Sequence, residues 1–298
     1  MMDTLVMERI SDKVEQGEPL GSEEAQLLAS THDILTLGSL ADRVRRRRHG
    51  ARTTFLRVAD IGVDEAHGAP SSWPLAAREV RLAGPLSSLE QARKAVRAVS
   101  SSAGSLPVVG FSLAGLEALA RAEDVALADA LGSLRDAGLS GLAEAPVDTL
   151  VDWRGALDTA SEHGLGIGRL TVDSASGGVL PLLARAAEVC RAAGAVNVFA
   201  PLARRPGPEP TTGYEDVRSV ALARILLDVD HIQVDWRLHG PKLAQVALTM
   251  GADDLDNVSA EEESPDGRRR APLEEILRNI RAAGLDPAER DARFARRS

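Results

Sequence analysis

The sequence predicts an α/β fold, a TIM-like (β/α) barrel of parallel strands joined by crossover helices. Three observations predict it. Between Ala195 and Asp256 three short apolar runs, Val196-Asn197-Val198-Phe199-Ala200, His231-Ile232-Gln233-Val234-Asp235-Trp236 and Gly251-Ala252-Asp253-Asp254-Leu255-Asp256, alternate with two stretches, 214–227 and 241–250, whose apolar residues recur three and four apart. Strands alternating with helices over short connections are the mark of a parallel sheet with crossovers. A repeated punctuation supplies the second observation: Asp136-Ala137-Gly138-Leu139, Glu162-His163-Gly164-Leu165 and Ala192-Ala193-Gly194-Ala195 each read as a helix end, a capping glycine and a strand start. The third is size, since 298 residues with 44% hydrophobic content suit one large barrel domain.

Residues 1–50 read as an N-terminal helical extension, and 51–298 as a single barrel domain with C-terminal helices. Leu5, Ile10 and Val14 form one apolar stripe, broken at Pro19-Leu20-Gly21. Ser22, followed by Glu23 and Glu24, reads as a helix start, with a hydroxyl acceptor and acids near the positive end of the dipole. A further helix runs into Arg45–Arg48 and His49 and ends at Gly50; the arginine run reads as a solvated helix C-terminus more readily than as an anion site. Strand one is 53–61, rich in β-branched and apolar residues. Strand two is 78–86. Only about a dozen and a half residues lie between the two strands, little more than the minimum for a crossover. Either a vestigial helix remains around Trp73–Ala77, or the barrel is incomplete and open between strands one and two. The remaining strands read as 106–112, 139–142, 167–172, 195–200, 231–236 and 252–255. Helices fall at 88–99, 113–122, 125–137, 181–193, 214–227, 241–250 and 272–283. Pro/Gly-rich 206–212 and charged 261–270 read as loops.

Composition narrows the functions. A net charge of −9 and 3% aromatic residues argue against a nucleic-acid binder. No run of 18 apolar residues exists, and the N-terminus lacks a basic segment ahead of an apolar core, so no membrane span is expected and the cytoplasm is the expected compartment. One cysteine, Cys190, excludes an internal disulfide framework and a multi-cysteine metal site. Cys190 shares a stripe with Leu183, Ala186 and Ala187 and reads as a core thiol. No GxSxG elbow, P-loop lysine or full dinucleotide fingerprint is present, and Gly166-Ile167-Gly168 and Ser176-Gly177-Gly178 read as turns.

Three blocks in the last third carry a family resemblance: Ala223-Arg224-Ile225-Leu226-Leu227-Asp228 with His231–Trp236, then Gly240-Pro241-Lys242-Leu243, then Gly251-Ala252-Asp253-Asp254-Leu255-Asp256. In order and spacing they resemble the menaquinone-pathway radical SAM family, aminofutalosine synthase above all, with dehypoxanthine-futalosine cyclase and deazaflavin-synthase enzymes further off. The basic run with His49-Gly50 and the tail 282–291 resemble the family as well. Its active members carry a CxxxCxxC motif after strand one, which holds a [4Fe–4S] cluster that chelates S-adenosylmethionine. Here that loop, 62–73, has no cysteine, and its Asp64, Glu65 and His67 read as ordinary loop residues. The resemblance is therefore to a degenerate member. No cofactor is expected: no [4Fe–4S] cluster forms, and S-adenosylmethionine has no iron to bind.

The candidate ligand site is drawn from residues where strands end, because ligands of parallel α/β folds meet the chain there. Ser112, Glu144, Asp173, Asp235, Asp253 and Asp254 are the candidates, with Asp60, Gly84 and Ser174 at comparable positions. Together they would form an acidic mouth in which neighbouring carboxylates raise one another's pKa, suited to hydroxyls, ribose-like diols or a cation. Asp253, Asp254 and Asp256 could equally serve barrel closure. No catalytic and no metal-ligating residue is assigned. The expectation is a non-radical homologue that binds a small-molecule pathway intermediate or an active paralogue. The alternative is a cluster-independent lyase or hydrolase using the acidic strand ends.

Overall fold

Strand β1 (Arg52–Gly62) shows why a barrel forms: residues 55–59 are buried without alternation, as expected of a strand covered on both faces. The computed structural model describes residues 4–174, 178–193, 196–207, 211–263, 271–292 and 294. After β1 come β2 (Glu79–Ala83), β3 (Val108–Ser112), β4 (Gly141–Pro146), the short β5 (Gly166–Ile167) and β6 (Leu170–Val172), then β7 (Val198–Ala203), β8 (His231–Asp235), β9 (Asp254–Ser259) and β10 (Asp286–Glu289). All pairings are parallel. The order β1-β2-β3-β4-β6-β7-β8-β9 returns to β1 through a β1–β9 pairing, so eight strands close a barrel.

The wall is closed between strands one and two. Five consecutive pairs, Val58↔Glu79 to Gly62↔Ala83, join β1 to β2. The crossover between them holds a 3-10 helix, Val63–Gly68, in place of the vestigial helix expected at Trp73–Ala77, where only a turn closed by Ala77 N–H on Pro74 C=O remains. Because β2 starts opposite Val58, the first half of β1 has no partner on that side. The tail strand β10 fills the gap, pairing Arg52↔Asp286 through Phe55↔Glu289. Its Pro287 suits an edge position, where one missing N–H is tolerated.

Strand five, expected as one run over 167–172, is split into β5 and β6 at Gly168-Arg169. A Cβ on Gly168 would lie 2.9 Å from the Ala143 carbonyl oxygen, so the close approach that stitches this strand to β4 requires glycine. Strand eight is displaced from its expected position at 252–255: β9 begins only at Asp254, which puts Asp253 and Asp254 at the start of a strand.

Helices α1 (Thr4–Gln16), α2 (Ser22–Ser30) and α3 (Ile34–His49) precede the barrel. Asp33 caps α3 by accepting from Thr36 N–H at 3.0 Å, and Leu37, Leu40, Ala41 and Val44 join the core shared with the barrel. The arginine run at its end is bonded within the chain: Arg46 to Asp42 at 2.7 Å, Arg47 to Val14 C=O at 2.7 Å and Arg48 to Asp228 at 2.6 Å. The outer ring comprises α4 (Leu89–Ala103), α5 (Leu113–Ala122), α6 (Leu127–Asp136), α7 (Trp153–Glu162), α8 (Val179–Ala193), α9 (Gly213–Leu226), α10 (Trp236–Thr249) and α11 (Pro272–Ala282). Helix α10 starts five residues before the expected Pro241, with a break at Gly240, whose φ is 78°. Among the described residues no helix is long and apolar enough to cross a membrane. The expected start of strand six at Ala195, the turn at Ser176-Gly177, and parts of the loops 206–212 and 261–270 lie outside the described residues.

Candidate functional site

The C-terminal end of the barrel is built around Asp235. It ends β8 and caps α10, accepting from Arg237 N–H at 3.1 Å and Leu238 N–H at 2.9 Å. The same carboxylate accepts from Arg204 Nη1 at 3.2 Å and from Asn257 Nδ2 at 3.1 Å. Asn257 reaches it because β9 carries an extra residue against β1, between the pairs Phe55↔Leu255 and Arg57↔Val258, and adopts φ 60° there. Such a bulge re-aims a side chain into a site. Arg204, after the apolar run of β7, bridges Asp235 to Glu144, with its Nε 2.8 Å from Glu144 Oε2. Arg169, beside Gly168, reaches Glu144 at 3.5 Å and Asp235 at 4.0 Å, and also bonds Asp256. Deeper in the barrel Arg81 donates to Asp256 at 2.7 Å and to Glu79 at 2.8 Å.

The mouth is thus charge-paired, which corrects the expectation of mutually repelling acids. Four carboxylates at or near the strand ends are each paired with an arginine: Asp60 with Arg237 at 2.6 Å, Glu144 with Arg204, Asp173 with Arg205 at 2.9 Å, and Asp235 with Arg204. Burial alone would raise the pKa of Asp235. The arginines 169, 204 and 81 overcome that and hold it at about 2. The same crowding lowers Arg169: burial, then the neighbouring Arg81 and Arg204, bring it to about 10.

The predicted site residues fall into three groups. Glu144 and Asp235 meet through the arginines, and Ser112 lies opposite Glu144 in the β3–β4 register, at the start of α5. Asp173 stands on the same rim in its own pair with Arg205, its N–H donating to Asp148 at 2.8 Å. Asp253 and Asp254 lie at the opposite, N-terminal end. Asp254 is fully buried and receives Arg290 at 2.6 and 2.7 Å, Thr54 Oγ1 at 2.5 Å and Gln233 Nε2 at 2.7 Å. Asp253 accepts from Ile232 N–H at 2.9 Å and from Arg224. Both tie the barrel floor together, as the closure reading has it.

Sequence reasoning missed the arginines. For Arg81 alone a signal was present in Glu79-Val80-Arg81-Leu82, where charges at a spacing of two sit within a strand and share one face. Two cavities flank this polar core. One of about 770 Å³ lies at the C-terminal rim, lined by Asp60, Trp73, Leu75, Arg237 and Glu261. The other, about 500 Å³, enters from the N-terminal end and reaches Arg81, Arg169, Gln233 and Asp256. Arg169 Nε and Gln233 Oε1, on residues that line the second, and Asn257 Oδ1 have no hydrogen-bond partner among the described residues.

The loop after β1 does not fit a cysteine-held iron–sulfur cluster. Its 3-10 helix offers Asp64, Glu65 and His67, with Asp64 already accepting from Gln91 at 2.7 Å. Cys190 sits on α8, where burial pushes its thiol up to about 11.

Comparison with known proteins agrees with this architecture. Residues 202–298 match the family described as the CofH/MqnC C-terminal region. Aminodeoxyfutalosine synthase of Thermus thermophilus is 26% identical over 356 aligned positions, covering 96% of this chain and 94% of that one. Those positions outnumber the 298 residues of the chain, so the relative carries segments that this chain lacks. Cyclic dehypoxanthine futalosine synthase of Streptomyces coelicolor is 25% identical, covering 97% of this chain and 88% of its own. A crystal structure of methylornithine synthase superposes with a TM-score of 0.64 at 13% identity, covering 94% of this chain and 97% of that one, a likeness of fold alone.

Proposed function

We propose that this relative of the menaquinone-pathway radical SAM family acts without radical chemistry, as a ligand-binding homologue whose barrel takes up a small-molecule intermediate of that pathway. One observation carries the reading: an arginine-bridged polar core borders a cavity, while the loop that would hold a cluster has no thiol. Arg169 and Gln233 are buried and both line the cavity, and Arg169 Nε and Gln233 Oε1 lack a hydrogen-bond partner among the described residues. Buried polar atoms without protein partners are satisfied by water or by a ligand, and a ligand that supplies both a donor and an acceptor displaces such water at little loss. Arg204, one quarter exposed, adds a cation at the C-terminal mouth. This set suits a hydroxylated, amide-bearing or carboxylated molecule. The relatives' names point to a futalosine-type nucleoside. Neither an iron–sulfur cluster nor S-adenosylmethionine belongs to this reading.

A lyase or hydrolase built on the strand-end acids is the weaker reading. Proton donation near neutrality needs a carboxyl with a raised pKa, and Asp235 is held at about 2 by its arginines. The test is a thermal-shift panel of futalosine-type nucleosides, benzoates, S-adenosylmethionine and its cleavage products. A ligand at one hundred times its dissociation constant stabilises by about 2.7 kcal/mol. A shift with a nucleoside or benzoate, lost in Arg204→Met, is the expected result. A flat response to the whole panel would remove the small-molecule reading and leave binding to an active paralogue, tested by co-purification.

A further inference from the structure

We propose that the N-terminal end of the barrel carries a divalent transition-metal site made by His49, His231 and Asp253. The site lies away from the arginine-bridged mouth and stands independently of the ligand read there. Three distant parts of the chain converge on it: the last residue of α3, the first residue of β8 and the residue before β9. His231 Nδ1 is 2.5 Å and His49 Nε2 3.4 Å from the same oxygen, Asp253 Oδ2, and the three donor atoms lie within 4.8 Å of one another. In a tetrahedral zinc site, bonds of about 2.1 Å place ligand atoms roughly 3.4 Å apart, so an ion needs His231 Nδ1 and Asp253 Oδ2 to part by about 1 Å and the imidazoles to turn towards it.

The surroundings orient the donors as a metal site requires. Asp253 turns its other oxygen, Oδ1, to Ile232 N–H at 2.9 Å and to Arg224, leaving Oδ2 to face the two imidazoles. Hydrogen bonds of this kind fix a ligating carboxylate from behind. The positive charges nearby are already matched, Arg45 by Asp42 at 2.7 Å and Arg290 by Asp254 at 2.6 Å among them. Arg224 bonds Asp253 and the carbonyls of Gly251 at 2.9 Å and Asp230 at 3.2 Å, and Arg48 pairs with Asp228. Two imidazoles and one carboxylate form a borderline donor set suited to zinc or cobalt rather than to magnesium or calcium. They leave a fourth position for water.

Access comes through the 500 Å³ cavity, which His231 and Asp230 line. The side chains of His49 and His231 are 13% and 17% exposed, so an ion reaches them from solvent. The two rings stack at 4.9 Å, 20° from parallel, and His231 also stacks on Phe294 at 4.3 Å. One ring therefore turns about its Cβ–Cγ bond to aim its lone pair at a shared ion, and Phe294 gives way. His49 Nε2 gives up its bond to the Asp230 carbonyl, now 2.6 Å, and each ring carries its proton on the other nitrogen.

The probe is Co²⁺ added to chelator-treated protein, followed by visible absorption and then displaced with Zn²⁺. One Co²⁺ per chain with the intense bands of four-coordinate cobalt is expected, together with at least tenfold weaker binding in each of His49→Gln and His231→Gln. Cys190→Ser should leave the titration unchanged. Weak octahedral spectra only, or equal binding in wild type and both histidine variants, would overturn the site and leave the cluster as a hydrogen-bonded clamp. His49 ends a helix and is partly exposed, so His49→Gln keeps the test decisive if His231→Gln fails to fold.

Discussion

Replacing Asp235 with Asn tests the claim that the mouth is a charge-paired unit. Asparagine keeps the size and the capping acceptor of Asp235 but removes its charge from Arg204 and Arg169. The folded pKa of about 2, against an ordinary value of 3.8, corresponds to about 2 kcal/mol of stability at neutral pH, at roughly 1.4 kcal/mol per pKa unit. The side chain is almost fully buried, so solvent screening takes little from that figure. Loss beyond it is limited because Arg204 keeps Glu144 and Arg169 keeps Asp256. The sign follows from a depressed carboxyl. Its contribution is complete above the unfolded pKa, near 4, and disappears as pH falls towards 2. Urea unfolding at pH 7 should therefore show Asp235→Asn about 2 kcal/mol less stable than wild type, and the gap should shrink to roughly half by pH 3. A variant within about 0.5 kcal/mol of wild type at pH 7, or a gap that stays constant down to pH 3, would refute the charge-pairing argument.

Three further outcomes are expected. Asp254→Asn breaks a fully buried bidentate pair with Arg290 and should cost about 3–5 kcal/mol in denaturant unfolding; an effect below about 1 kcal/mol would mean that the floor is not held by this pair. Gly168→Ala drives a Cβ against the Ala143 carbonyl and should cost about 1–3 kcal/mol in the same assay, whereas an unchanged midpoint would show that the split strand can open. Cys190, half-buried with its thiol pushed up to about 11, should be alkylated at pH 8 more slowly in the folded protein than after unfolding; equal labelling rates in the two states, followed by mass spectrometry, would contradict a shielded thiol.

Much of the fold was legible because barrel strands and helices announce themselves by period and by capping glycines. The run His231–Trp236 and the punctuation at Gly138 and Gly164 each mark a real boundary. The tail strand β10 was not legible, since Asp286-Pro287-Ala288-Glu289 has neither alternation nor apolar content; it becomes a strand only because β2 starts late and leaves half of β1 unpaired. Asp235 and Glu144 were legible as positions near strand ends, where the structure places them. Asp253 and Asp254 were assigned to the wrong end because the apolar run around Leu255 does not reveal which of its residues begins the pairing, and a shift of two residues exchanges floor for mouth. The arginines that decide the electrostatics were invisible for a different reason. Arg169 follows a glycine in a broken strand and Arg204 follows an apolar run, so neither stands in a pattern that marks it as inward-facing. The histidine cluster was hidden because His49, His231 and Asp253 come together only when the barrel closes.

Anaerobic reconstitution with iron and sulfide, followed by iron and sulfide counts and electron paramagnetic resonance after reduction, tests the central claim most directly. A chain whose strand-one loop lacks thiols should retain well under one cluster per molecule after desalting, and adding S-adenosylmethionine should perturb no signal. A stoichiometric, oxygen-sensitive [4Fe–4S] cluster whose signal shifts with S-adenosylmethionine would contradict the non-radical account and return this barrel to radical chemistry.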